Sequence, residues 1–234
     1  MPISPQEKKY LKNKHKGGNN NSKGNIYESF YTIYCIALFM NSHITQLDSV
    51  YFTSQLEECF VDDLLIEESN TAHRIYHQIK DVKNLSWQTK QLKHDFDISS
   101  EMGENFELKL VHSNSPTMVT PIPEEIVSST SVSFFPAEKS LNQLILSYPP
   151  FKNAIQNITV LGEAKDDELL GIAEAILGVW TGLEQKNISL KAISDEVKRI
   201  GKGLINIKTY PNIQIADSSQ EILRRFDLCF YTCA

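Results

Sequence analysis

The alternation of apolar and polar positions divides this 234-residue chain into segments of distinct period. Ile26, Phe30, Ile33, Tyr34, Ala37 and Leu38 recur at helical spacing, which predicts a helix to about Met40. Val50 to Phe52 begins an extended segment, Phe60 to Ile66 reads as a second strand and Ile75 to Ile79 as a third. Ser69-Asn70-Thr71 supplies the turn between the last two. Leu85 to Phe96 predicts a helix with Trp87, Leu92 and Phe96 on its apolar side, and Phe106 to His112 a fourth strand. Trp87 is read as a core residue.

Ser113 to Pro123, with three prolines and small polar residues, reads as a linker. A mainly helical region is expected beyond it. Glu138 to Leu146 is one helix, and Asp166 to Glu184 is a stronger one, with a wide apolar stripe from Leu169 to Leu183. Ser189 can cap a third, in which Leu190, Ile193, Val197 and Ile200 share a face, and Gly201 and Gly203 end it. A short strand near Ile205, a turn at Pro211 and a helix over 219–226 complete the reading. There is no internal repeat and no coiled-coil heptad pattern.

Charge changes this picture at one end. Residues 1–24 hold six lysines against Glu7 alone, a balance of +5 that leaves −11 on the rest of a chain whose total is −6. With Gly17-Gly18-Asn19-Asn20-Asn21-Ser22 closing it, the stretch reads as a flexible basic tail, able to touch phosphates or simply solvated. The N-terminus lacks the pattern of a secretory signal. The longest apolar run, Ile26 to Met40, contains Glu28 and is shorter than the roughly 20 residues of a membrane span, so a cytoplasmic protein is expected. Four cysteines suggest reduced thiols, and the pair Cys229 and Cys233 lacks a second pair to complete a zinc site.

The candidate chemistry lies in Val61-Asp62-Asp63-Leu64 and His77-Gln78-Ile79-Lys80. On a strand, Gln78 and Lys80 project together while Ile79 faces the other way. If the strand at 60–66 lies alongside, Asp62 or Asp63 comes near Gln78. One carboxylate, the Gln78 carbonyl and the Ile79 backbone carbonyl make an oxygen set suited to Mg²⁺, with Mn²⁺ as a substitute. Lys80 can orient an attacking water or stabilise developing negative charge on a phosphodiester. Glu28, early in the preceding helix, can add a carboxylate. Which aspartate is the ligand stays open, with Asp62 slightly favoured if Leu64 packs inward beneath the site. Lys23, His77, Lys83 and Lys93 are candidates for nucleic-acid contact, His94 can also reach phosphates, and His73 and His77 are read as lying on an exposed strand face.

A helical Glu followed by Asp and then Gln-x-Lys, on the chain order αβββαβ, resembles the PD-(D/E)XK restriction-endonuclease-like superfamily. Gly24-Asn25-Ile26-Tyr27-Glu28, Val61-Asp62-Asp63-Leu64 and His77-Gln78-Ile79-Lys80 look like the double-stranded DNA endonuclease domain of bacterial antiphage effectors. The resemblance covers residues 24–112. It implies an α/β fold, with a restriction-endonuclease-like core over 24–114, a tail over 1–23 and a mainly helical assembly region over 124–234. It also implies a Mg²⁺-dependent endodeoxyribonuclease. No proline precedes the aspartates, and Gln78 stands where the family usually has an acid, which implies weaker, conditional metal binding.

The size also resembles the nuclease subunit of Lamassu-type defence systems. That likeness implies an SMC-like ATPase and a small accessory subunit as partners, and homo-oligomerisation on activation. Two rivals remain: a non-catalytic adaptor that keeps a degenerate nuclease fold, and a stand-alone Mrr-like nuclease. The second would need a more basic surface than a body of −11 provides.

Overall fold

The structure, a computed structural model, describes residues 4–18, 22–101, 105–113, 121–159 and 164–200. At its centre is a six-stranded mixed sheet in the order β5-β4-β3-β2-β1-β6. Strands β1 (Val50–Ser54), β2 (Leu64–Glu68) and β3 (His73–Lys80) form an antiparallel meander. The chain then crosses through helix α3 (Leu92–Ser100), so β4 (Phe106–His112) returns parallel to β3, and β5 (Thr130–Phe134) lies parallel to β4. The two-residue β6 (Ile188–Ser189) closes the other edge against β1. The architecture is α/β, with helices on both faces of the sheet.

The period-2 rule sorts the strand side chains into two cores. Ile75 and Ile79 of β3 and Val111 of β4 join the larger one, beneath helix α2 (Ser22–Ser42). Tyr76 of β3 with Leu108 and Leu110 of β4 face the opposite way, onto Leu92 and Phe96 of α3. Trp87 lies in this second core, edge-on to Phe96 at 5.4 Å.

Helices α4 (Leu141–Ser147), α5 (Pro149–Asn157), α6 (Asp166–Gly182) and α7 (Leu190–Ile200) pack on the same face as α2. Phe151, Ile155, Ile176, Trp180 and Val197 bury their side chains in the core that holds Phe52 and Ile66 of the sheet. Among the described residues, the elements on either side of the expected 114–124 boundary share this one core. β5 and β6 extend the sheet itself.

Several expectations are corrected. Residues 5–18, expected as flexible, form helix α1 (Pro5–Gly18). Its start is a capping box: Glu7 N–H donates to Ser4 Oγ at 3.3 Å, and Ser4 N–H donates to Glu7 Oε2 at 2.6 Å. Residues 60–63, expected in a strand, precede β2. Leu85 to Gln88 form no helix; a 3₁₀ turn at Thr89–Gln91 leads into α3. Helix α4 begins at Leu141 rather than Glu138, because Ser140 caps it by accepting from Gln143 N–H at 3.2 Å.

Ser189 caps α7 as expected, accepting from Ala192 N–H at 3.1 Å. Leu190, Ile193 and Val197 are buried, while Ile200, the last residue of the helix, is 52% exposed. Most of the 113–123 linker, the Gly201 and Gly203 stop, the elements expected near Ile205, Pro211 and 219–226, and Cys229 and Cys233 lie outside the described residues. Among the described residues no helix is long and apolar enough to cross a membrane.

Candidate functional site

The connection from β1 to β2 sets the position of the two aspartates. Gln55 takes a left-handed backbone conformation, φ 54°, which turns the chain out of β1. Gln55 N–H then donates to the Asp63 carbonyl at 3.3 Å, and Leu56 N–H to the Asp62 carbonyl at 2.9 Å. These bonds fold residues 55–63 back on themselves and deliver Asp62 and Asp63 to the threshold of β2, both buried. Because Leu64 pairs with His77 in the antiparallel ladder, the residue before Leu64 meets the residue after His77. Asp63 thus faces Gln78.

Asp63 is the hub. Its Oδ2 accepts from the Gln78 side-chain amide, from Ile79 N–H at 2.6 Å and from Lys80 Nζ at 3.2 Å. The Gln78 amide also donates to Asp62 Oδ1 at 3.3 Å. Gln78 is fully buried, whereas the Lys80 side chain keeps about a third of its surface exposed, at 32%. Asp62 and Asp63 both precede β2, so strand alternation does not choose between them, and both accept from the Gln78 amide.

Glu28 of α2 approaches the same place and accepts from Gln55 Nε2 at 2.9 Å. Burial raises its pKa most, the negative charge of Asp63 raises it further and Asp62 adds to this. Lys80 and the Gln55 hydrogen bond oppose them, and the result is a carboxyl pushed up to about 8 from an ordinary 4.5. Three carboxyl groups facing one ammonium thus leave an uncompensated negative field, and Glu28 carries the consequence.

This donor set suits a hard divalent cation in chemical type, since carboxylates and an amide or backbone carbonyl are oxygen ligands. Burial first, and then the charges of Asp63 and Asp62, raise the Glu28 pKa, and a cation among these carboxyl groups would relieve the charge part of that shift. Even so, among the described residues no three His, Cys, Asp or Glu side chains are grouped as a metal cage. The Gln78 amide presents its NH₂ to the carboxylates, and its oxygen would reach them only after rotation about the terminal torsion.

The remaining candidates scatter. His77, read as exposed, is 2% exposed and lies on the opposite side of β3, beneath α2, with its ring 5.6 Å from that of Tyr31. Burial, aided by the positive charge of Lys109, lowers its pKa to about 3, and its Nδ1 has no hydrogen-bond partner. It is neutral and out of reach of a nucleic acid. Lys93 is tied to Glu125 at 2.9 Å. Lys83 is exposed, while the side chain of Lys23 lies outside the described residues. His94 is exposed, with its ring edge-on to Tyr10 and Phe60.

Sequence reasoning missed Gln55 and Tyr10. A glutamine in a loop carries no periodic signal, so Gln55 could not be singled out. Tyr10 could have been, because Ser4-Pro5-Gln6-Glu7 is a helix-start signature that puts Tyr10 and Leu11 on one face.

Comparison of the chain with family models, with curated proteins and with solved structures gives no match.

Proposed function

We propose that this protein is a Mg²⁺-dependent DNA endonuclease, the cleaving effector of a bacterial antiphage defence complex. The observation that carries the reading is the convergence of Asp63, Gln78 and Lys80, with Glu28 alongside, where β2 begins and β3 ends. The element order α2-β1-β2-β3-α3-β4, an antiparallel meander followed by a parallel crossover, is compatible with the αβββαβ chain order on which the resemblance rests.

In this reading Asp62, Asp63, the Gln78 amide oxygen and the Ile79 carbonyl are the groups that would hold Mg²⁺ or Mn²⁺. The bound cation would polarise the phosphodiester and make water nucleophilic near neutral pH. Lys80, anchored by Asp63 yet partly exposed, would stabilise charge developing on a phosphate oxygen. Glu28, with its pKa near 8, can hold or release a proton at neutral pH. Ile79 N–H fixes the Asp63 carboxylate so that its position does not depend on the metal.

An SMC-like ATPase and a small accessory subunit would bring the chain to duplex DNA and activate it, which suits a body whose charge outside the first 24 residues is −11. One observation favours the adaptor alternative. Asp63 is satisfied by three donors from its own chain, as a structural ion pair would be. Supercoiled plasmid incubated with the chain and its neighbouring gene products separates the two. Nicking in Mg²⁺ that EDTA abolishes supports the nuclease, and intact plasmid under every combination supports the adaptor.

A further inference from the structure

Helix α1 has two chemically opposed faces. Tyr10 and Leu11 point toward the body: Leu11 is buried, and Tyr10 donates its hydroxyl to Asp95 of α3 at 2.9 Å. The Tyr10 ring also stacks on Phe60 with ring centres 6.1 Å apart. Phe60 lies two residues before Asp62, and the negative charge of Asp62 is among the influences felt at the Tyr10 hydroxyl. The helix is therefore docked beside the carboxylate site.

Lys8, Lys9 and Lys12 lie on its other face, all exposed. Lys8 and Lys12, four residues apart, repel each other along the helix, so this arrangement costs local stability. A tail serving only solubility has no need to be capped at Ser4, anchored at Asp95 and set next to the site. Lysines held on a rigid face match the spaced charges of a phosphate backbone, and the rest of the chain is strongly acidic.

We propose that the Lys8, Lys9 and Lys12 face of α1 is a docking surface for the phosphate backbone of duplex DNA, aligning the duplex with the Asp63–Lys80 site. The inference deepens the nuclease reading and rests on it for the identity of the duplex. It adds sequence-independent affinity, so its signature is salt dependence rather than base preference.

The test is fluorescence anisotropy of a labelled DNA duplex titrated with the full chain in EDTA, where no hydrolysis can interfere, across a salt series. The comparison is wild type against the variant Lys8→Gln/Lys9→Gln/Lys12→Gln, checked for folding by circular dichroism. Loss of three phosphate contacts is expected to reduce the slope of log affinity against log salt by about 2.7, at about 0.9 per contact. A second variant, Tyr10→Phe, keeps every lysine but removes the anchoring hydroxyl and is expected to retain most of the slope.

Three results overturn the proposal: no duplex binding by the wild type, an unchanged slope in the triple variant, or equally tight lysine-dependent binding of polyglutamate, which would make the partner an acidic protein. Plasmid cleavage by Lys80→Ala is scored separately. Lysine-dependent duplex binding without any metal-dependent cleavage would remove the nuclease reading and leave this surface standing. Cleavage lost in Lys80→Ala with unchanged duplex binding by the triple variant would do the reverse.

Discussion

Lys80 Nζ, at the end of β3, lies 3.2 Å from Oδ2 of Asp63, which stands just ahead of β2. The carboxylate stands at the threshold of β2 and the ammonium at the end of the adjoining β3, and the ladder register that pairs Leu64 with His77 is what brings them together. Asp63 is 8% exposed on its side chain and Lys80 is 32% exposed, so the pair has a protein side and a solvent side. On the proposed reading, a phosphate would approach the lysine from the solvent side while Ile79 N–H keeps hold of the carboxylate.

The two aspartates are expected to separate on mutation. Asp63→Asn weakens three hydrogen bonds to a buried carboxylate, and each charge-assisted bond contributes about 1.5–3 kcal/mol before the new amide recovers part of it. The melting temperature of Asp63→Asn should fall by several degrees, with loss of Mn²⁺ binding by calorimetry. Asp62→Asn should melt closer to the wild type. Equal effects of the two substitutions on melting would contradict the assignment of Asp63 as hub.

Gln55 should show a trade of stability against function. Its left-handed backbone costs a residue with a Cβ about 1–2 kcal/mol, and glycine relieves that cost. Gln55→Gly is thus expected to be as stable as the wild type or more so. It also removes the donor to Glu28, which raises the Glu28 pKa further and moves the rising limb of the cleavage pH profile to higher pH. A pH profile superimposable on the wild type would show that the Gln55 amide does not tune Glu28.

Glu28 should make the metal-free protein less stable as pH rises. Its folded pKa, about 8, lies above the ordinary 4.5, so the folded state binds the extra proton between those values. The stabilisation is fully present below pH 4.5 and is lost as pH climbs through 8. Glu28→Gln should remove this slope in chemical denaturation series at pH 5 to 9, and Mg²⁺ should stabilise the wild type increasingly over the same range.

His77 acts with the opposite sign. Its folded pKa, about 3, lies below the ordinary 6.5, so the unfolded chain takes up the proton first. Its contribution is present above pH 6.5 and is lost as pH falls toward 3. His77→Phe should therefore unfold less readily than the wild type between pH 6 and 4. Identical acid transitions would mean that His77 does not govern that range.

How far these features were legible beforehand differs by element for physical reasons. β4 was delimited correctly at Phe106–His112, and α6 nearly so, because a buried strand and a helix with a wide apolar stripe impose clear periods. β5 was missed. Thr130-Ser131-Val132-Ser133-Phe134 has one aliphatic residue, and its place at a parallel edge depends on β4 more than on its own pattern. α5 was missed because Pro149-Pro150 reads as a break, whereas proline in the first helical turn sacrifices no hydrogen bond. The proximity of Asp63, Gln78 and Lys80 was legible from type and spacing. The burial of His77 was not, because it depends on α2 lying across β3.

The central claim is that Lys80 acts on phosphodiester chemistry rather than only bracing Asp63. Its most direct measurement is the rate of supercoiled plasmid nicking in Mg²⁺ by the wild type and by Lys80→Ala, with the neighbouring gene products present. Melting temperature and duplex affinity of both proteins are recorded alongside. Nicking is expected to fall by about 100-fold or more in Lys80→Ala while duplex binding is retained, in line with removal of one donor to developing charge. Nicking at the wild-type rate by a folded, DNA-binding Lys80→Ala protein would contradict it.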